Sequence, residues 1–487
     1  MSVAKKAFKG SVIITMGEAI GQICGLLRNI VLARVLTKAD FGISAMIGMT
    51  ISIFEIGGRL SIEQLVVQSK DGDQPHFAAG AHLVQASLGL LSTVLILLAA
   101  HPMAKYFGVP DAAWALQVLS VIPLLRALSN LDVFRMNREL HFGPGVMIDL
   151  IPQIVTTIAV WPLSLIWNSY VVLVWIFLGK QLASTLASHF VAKRSYRWAY
   201  DPEVINSILT FGWPMLINGL LLFGIMQGDR FAVGVRYSAT ELGVYSIAGT
   251  LALVPAATLL RLSGGILLPL MSSARDDTKL FLRRLGTTSE IMALFSGVYA
   301  MVMILAGGPL VLIIFGSKYN DSGALTAWMG LSQALRLLRN VPTIAAMSKG
   351  DTKNLMFSNL LRLIGLALAF PIAKAGGSLA SIAACAAIGE GLALLGSFWR
   401  FTRYHSVPAS AYLRAMLLAG VFIALSALLS WLGLSAMKPW ISLGVTTVLV
   451  LLFAGLHLAI FSDSRRLLLA RIVPLLQARF KPGPQAA

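Results

Sequence analysis

Apolar runs of about twenty residues recur from residue 11 to residue 461. At about 1.5 Å per residue, each is long enough as a helix to cross a hydrocarbon core of about 30 Å. A chain written this way folds as a bundle of membrane-spanning helices. Its balance agrees: 57% of the 487 residues are hydrophobic and 12% are charged, too little polar surface to cover a soluble globule. No stretch between the runs is long enough to fold as an extramembrane domain.

Lys5, Lys6 and Lys9 precede the first run, as in a secretory signal. That run contains Glu18 and Arg28, exceeds twenty residues and lacks a small-residue cleavage site, so it reads as a retained first helix. Cys24 and Cys385 both fall inside predicted spans and read as small buried apolar residues.

Breaks in hydropathy divide the chain into about 14 spans. They group as an N-terminal lobe over residues 1–200 with spans 1 to 6 and a C-terminal lobe over 201–404 with spans 7 to 12. Spans 13 and 14 follow over 405–461, and a basic amphipathic tail over 462–487. An even count puts both termini on one side. Placing that side in the cytoplasm gathers most loop cations there, including Lys193, Arg194, Arg283, Arg284, Arg400 and Arg403, as the positive-inside rule requires. The net charge of +18 thus follows topology, and nucleic acid is not a predicted partner.

An internal repeat organises the spans. A shift of 201 residues sets Asp40-Phe41-Gly42 over Glu241-Leu242-Gly243 and pairs Thr37 with Ser238 and Gly48 with Gly249. Six spans intervene, so the two copies enter the membrane in the same direction, as parallel repeats do.

Ionisable side chains at bilayer depth cost on the order of 3 kcal/mol each and therefore face a cavity, a partner or water. The shift places Arg59 beside Arg261, one position out of register, and Leu124-Leu125-Arg126 matches Leu337-Leu338-Arg339. Arginines at one depth in four spans read either as an inward-facing basic vestibule or as side chains snorkelling to headgroups. Arg336 lies deeper and fits the vestibule better. Guanidinium forks suit a phosphate or pyrophosphate ligand, because they donate paired hydrogen bonds and stay charged. Of the acids, Glu55 and Arg59 are spaced as a helical ion pair, whereas Glu18 has no base within a turn. Glu18, Glu55, Asp229 and Glu390 are the candidate sites for coupling to protons or sodium. Pro123, Pro152, Pro214, Pro255 and Pro342 fall mid-span, as hinges or as static kinks.

The stretch Leu27-Arg28-Asn29-Ile30-Val31-Leu32-Ala33-Arg34-Val35-Leu36-Thr37-Lys38-Ala39-Asp40-Phe41-Gly42 resembles the first helix and loop of the polysaccharide transporters in the multidrug/oligosaccharidyl-lipid/polysaccharide flippase superfamily. Leu65-Val66-Val67-Gln68 and the basic segment from Arg135 to Phe142 are similar to further family motifs. Thr37 and Lys38 stand where that family commonly has a proline. The resemblance implies an all-α polytopic membrane protein of about 14 helices, with two parallel six-helix lobes in a V, as in the MATE transporters, and two C-terminal helices. It implies a Wzx-type flippase of the bacterial inner membrane that moves polyprenyl-diphosphate-linked oligosaccharide repeat units, without a resident cofactor. Polysaccharide polymerase and export proteins would be its partners beyond membrane lipids. The family's cationic cavity maps by helix position onto Arg28, Arg59, Arg126, Arg230, Arg261, Arg336, Arg339 and Arg362.

Two other functions meet the same hydropathy. A flippase for the peptidoglycan lipid precursor would also need a basic cavity. A membrane-embedded glycosyltransferase or polymerase would need a sizeable loop with catalytic acids or bases. The longest outward loop, Gly307 to Gly323, holds only Lys318 and Asp321 as charges, so a transporter rather than an enzyme is expected.

Overall fold

The computed structural model describes residues 3–463, 465 and 466; the side chains of residues 3–9, 11, 57–59, 411 and 436 lie outside that description. The expected tail helix, Arg465 to Phe480, and the end beyond it fall mostly outside the described residues. Eighteen α-helices follow one another: α1 (Val3–Val35), α2 (Lys38–Arg59), α3 (Ile62–Gln68), α4 (Pro75–Tyr106), α5 (Ala113–Leu119), α6 (Val121–Ala127), α7 (Asp132–Arg138), α8 (Gly143–Ile166), α9 (Val171–Val191), α10 (Pro202–Arg236), α11 (Ala239–Ser272), α12 (Thr278–Leu305), α13 (Gly307–Phe315), α14 (Gly323–Ser348), α15 (Lys353–Lys374), α16 (Leu379–His405), α17 (Ser410–Trp431) and α18 (Pro439–Ile460).

Local chemistry sets many of these ends. The Thr37 hydroxyl accepts the Asp40 N–H at 3.1 Å, and the Asp201 carboxylate accepts those of Glu203 and Val204 at 3.0 and 3.2 Å, satisfying donors that open a helix. Leu60 and Ser61 take left-handed φ values of 36° and 52°. That turn ends α2 and starts α3, a short helix the hydropathy did not foretell.

Eleven of the helices are long and apolar enough to cross a membrane, or twelve if a bent pair counts as one span. The chain is a multi-pass membrane protein. The difference from the expected 14 has physical causes. The fourth expected span is broken into α5 and α6, at whose junction the absent N–H of Pro123 leaves a helical hydrogen bond unmade, and a 48° bend past Ala127 sets α7 off from it. The helix α14 has the length to span but carries Gln333, Arg336, Arg339 and Asn340, which lower its hydropathy. The helix α1 is likewise outside the eleven. The expected outward loop is itself partly helical, as α13.

The chain clusters into two compact units. The first holds Met1–Thr250 with Ile314–Tyr319 and Ala369–Ile382; the second holds the rest. In the first, α3 docks on α4 and α10 through Ile62, Leu65, Phe77, Val84 and Ile208. Its added segment 314–319 is tied to the end of α1: Arg34 Nε donates to the Ile314 carbonyl at 2.9 Å, and Lys318 Nζ donates to the carbonyls of Arg34 and Leu36. In the second, α12 packs on α14, α17 and α18 around Ala293, Met301, Leu338, Ala419 and Phe453. Small residues permit this: a β-carbon on Gly297 would stand 2.5 Å from the Phe453 ring. In lipid, where apolar burial drives little, such close backbone packing is what holds helices together.

Beyond the bend, α7 is stapled to two loops outside the spans. Asp132 accepts Arg135 Nε at 2.5 Å and the backbone N–H groups of Lys193 and Arg194 at 2.8 and 3.1 Å. Arg194 Nη2 in turn reaches Asp73 at 3.1 Å. Burial would push the Asp132 carboxyl up, but Arg135 and those two N–H groups outweigh it and hold the carboxyl below its usual range. A second staple occupies the other unit, where Asp351 accepts Arg400 Nη2 at 3.1 Å and meets His405 Nε2 at 3.2 Å.

Candidate functional site

Three arginines and one glutamate meet in the second unit. Glu390 on α16 lies 3.1 Å from Arg339 Nε of α14 and 2.7 Å from Arg362 Nε of α15. The three side chains are 4%, 7% and 10% exposed, so the pairing takes place away from bulk solvent. Arg339 also donates to the Ser358 hydroxyl at 3.0 Å, and Arg336 lies within electrostatic reach of Glu390 and Arg339. Among the described residues three guanidinium groups thus gather around this one carboxylate.

Glycine builds this geometry. A β-carbon on Gly365 would overlap the Cys385 carbonyl oxygen, and one on Gly389 would stand 2.8 Å from the Arg362 carbonyl oxygen. Only at that backbone separation do α15 and α16 bring Arg362, one turn before Gly365, against Glu390, the neighbour of Gly389. Asn354, fully buried on α15, donates to Ser397 on α16 at 2.8 Å and to the Pro342 carbonyl of α14 at 3.3 Å, fixing the third helix.

A looser basic cluster lies in the first unit. Arg126 on α6 sits 3.7 Å from Glu55 on α2. Lys180 on α9 is within electrostatic reach of Arg28, Asp149, Arg126 and Glu55, and Arg28 Nε and Nη1 are buried without a hydrogen-bond partner among the described residues. The carbonyls of Arg126 and Ala127 accept from Gln85 at 3.3 and 2.7 Å, which anchors the end of the broken span.

The sequence-predicted residues therefore part company. Arg336, Arg339, Arg362 and Glu390 come together; so do Arg28, Arg126 and Glu55. Glu390 is no isolated carboxyl, since two arginines from other helices clasp it. Glu55 meets Arg126, a partner its i+4 spacing to Arg59 did not foretell; the Arg59 side chain lies outside the described residues. Arg230 stands apart: its guanidinium packs over Gly249, and its Nη1 is 3.4 Å from Gln227. Asp229 accepts the hydroxyl of the fully buried Tyr245 at 2.8 Å. Arg261 and Glu18 are exposed. Lys180 and Asp149, visible as charges inside spans, belong to the first cluster, and Ser358 to the second. Only the meeting of helices identifies them.

A polytopic helical bundle with charged side chains gathered between its helices is, by class, built like a membrane transport protein. The chain belongs to the polysaccharide biosynthesis protein family, whose model matches residues 31–324. It is 22% identical over 481 residues to the succinoglycan biosynthesis transport protein ExoT of Rhizobium meliloti (strain 1021), covering 94% of this chain and 92% of that one. It is 21% identical over 331 residues to the lipopolysaccharide biosynthesis protein WzxC of Escherichia coli (strain K12), covering 66% and 65%. The fold is similar to that of the lipid II flippase MurJ in an inward closed conformation, with a TM-score of 0.73 at 14% identity over 92% of this chain and 99% of that one. It is also similar to an inward-facing MATE family transporter, with a TM-score of 0.63 at 12% identity over 80% and 95%.

Proposed function

We propose that this protein flips polyprenyl-diphosphate-linked oligosaccharide repeat units from the inner to the outer leaflet of the bacterial inner membrane, by alternating access of two six-helix lobes. Arginines hold the diphosphate, polar and aromatic side chains accept the sugars, and the polyprenyl tail stays in lipid. Both termini lie in the cytoplasm, and no covalent bond is broken.

The observation that carries this reading is the gathering of the Arg339, Arg362 and Arg336 guanidinium groups around Glu390. Glu390 occupies the arginines as an internal anion. A diphosphate offers the same forks more acceptor oxygens and exchanges with the carboxylate as it enters. Glu390, released from Arg339 and Arg362 as cargo enters, is the foremost of the coupling candidates, ahead of Glu18, Glu55 and Asp229. Kinship with ExoT over nearly the whole chain favours an exopolysaccharide repeat unit as the cargo.

The test deletes the gene in its native host and follows surface polysaccharide and lipid-linked repeat units in spheroplasts. Loss of polymer with repeat units held on the cytoplasmic face, restored by wild type but not by Arg336→Ala, supports the reading. Unaltered polysaccharide sinks it, and rescue of a strain depleted of its peptidoglycan-precursor flippase would assign that cargo instead.

A further inference from the structure

A polar pocket of about 410 Å³ opens among α12, α17 and the end of α18, all within the second unit and away from the arginine cluster. Its lining carries both signs of charge: Glu290 from α12, Arg414 from α17 and Asp463 just past α18, with the hydroxyls of Ser410 and Ser462 beside them. Arg283 balances Asp463 only loosely, at 3.8 Å. Among the described residues Arg414 makes no ion pair or hydrogen bond. One wall is firm: Tyr412 stacks on Phe398 with ring centroids 4.5 Å apart and shares a hydrogen bond with Thr402.

The pocket lies where helices enter and leave the membrane, since Ser410 opens α17 and Ile460 closes α18. Ile460, which lines the pocket, heads an apolar stripe on α18 that continues through Leu456 and Leu452, and α17 bears a second stripe, Leu413, Leu417 and Val421; all six are exposed. Spacing of four residues keeps each stripe on one helix face. A charged recess at the head of one lipid-facing apolar track, with a second on a helix that also lines the recess, has the shape of a phospholipid site.

We propose that this recess binds the headgroup of phosphatidylethanolamine, with Arg414, Ser410 and Ser462 donating to the phosphate and Glu290 and Asp463 accepting from the ammonium. The pairing of signs selects the zwitterion. A purely anionic headgroup would satisfy Arg414 but meet two carboxylates at close range, where like charges repel. A choline headgroup has no N–H to donate to them. The site goes beyond the transport reading and stands without it.

The experiment is native mass spectrometry of the full-length protein released from nanodiscs of equal phosphatidylethanolamine and phosphatidylglycerol with matched acyl chains. Wild type should retain phosphatidylethanolamine in preference by roughly tenfold, the effect of one charge-assisted hydrogen bond. Arg414→Gln should lower retention of both lipids and Asp463→Asn should abolish the preference, each leaving the melting temperature unchanged. Ser462→Trp, at an exposed position past α18, should abolish it by filling the mouth. Equal retention of the two lipids by wild type, a preference that survives in Ser462→Trp and in folded Asp463→Asn, or undiminished retention of both lipids by Arg414→Gln, would overturn the assignment.

Discussion

Gly42 and Gly243, equivalent positions of the two repeats, lie against one another in the first unit. A β-carbon on Gly42 would overlap the Ala239 carbonyl oxygen, and one on Gly243 would overlap the Lys38 carbonyl oxygen. Since Lys38 and Ala239 are themselves separated by the repeat shift of 201 residues, the contact is reciprocal, as about a local two-fold axis. The helix starts that frame it also match: Thr37 pairs with Asp40 as Ser238 pairs with Glu241.

This reciprocity makes the contact a candidate gate, and both glycines should matter equally. Gly42→Ala and Gly243→Ala each place a methyl group where backbone now sits, at a cost of about 1–3 kcal/mol to the closed contact. Each variant should slow cargo movement in reconstituted vesicles at least about fivefold. Wild-type transport in either would show that the contact is not closed and opened during the cycle.

Glu390→Gln should destabilise the protein by about 3–5 kcal/mol, because it leaves Arg339 and Arg362 without their buried counter-charge. Replacing the partners as well, in Glu390→Gln with Arg362→Met, should recover part of the loss. A double-mutant cycle of thermal unfolding in detergent reads the coupling, and strictly additive effects would show that the pair contributes nothing.

Gly365→Ala tests the positioning of Arg362 without touching any charge. The added methyl must push α15 from α16, so the binding of a soluble diphosphate probe should weaken while the helix content by circular dichroism stays the same. Unchanged affinity would remove this crossing from the account of the site.

Asp132 supplies the pH dependence. Its folded carboxyl lies below the unfolded value of about 3.8, so its contribution is fully present above that value. It is lost as pH falls through and beneath the folded one. The melting temperature should therefore drop on acidification below about pH 4. Asp132→Asn should melt lower at neutral pH and show a flatter acid limb, and an identical limb in wild type and variant would refute the assignment.

Much of this architecture was legible before any fold was known. Apolar length and the demand that backbone groups be satisfied within lipid act on each segment alone, so the spans, the repeat of Gly42 over Gly243 and the arginines within helices could be read in one dimension. The kink at Pro123 was legible, but the bend past Ala127 was not, because hydropathy registers apolarity and not where a helix axis turns. What tertiary structure alone decided is which charges meet. Glu390 is claimed by Arg339 and Arg362, 51 and 28 residues away along the chain, because Gly365 and Gly389 bring two helices to backbone contact; Glu55 meets Arg126, which comes from another helix. Pairing is a short-range electrostatic choice between helix faces, and the sequence lists the charges without stating which faces touch.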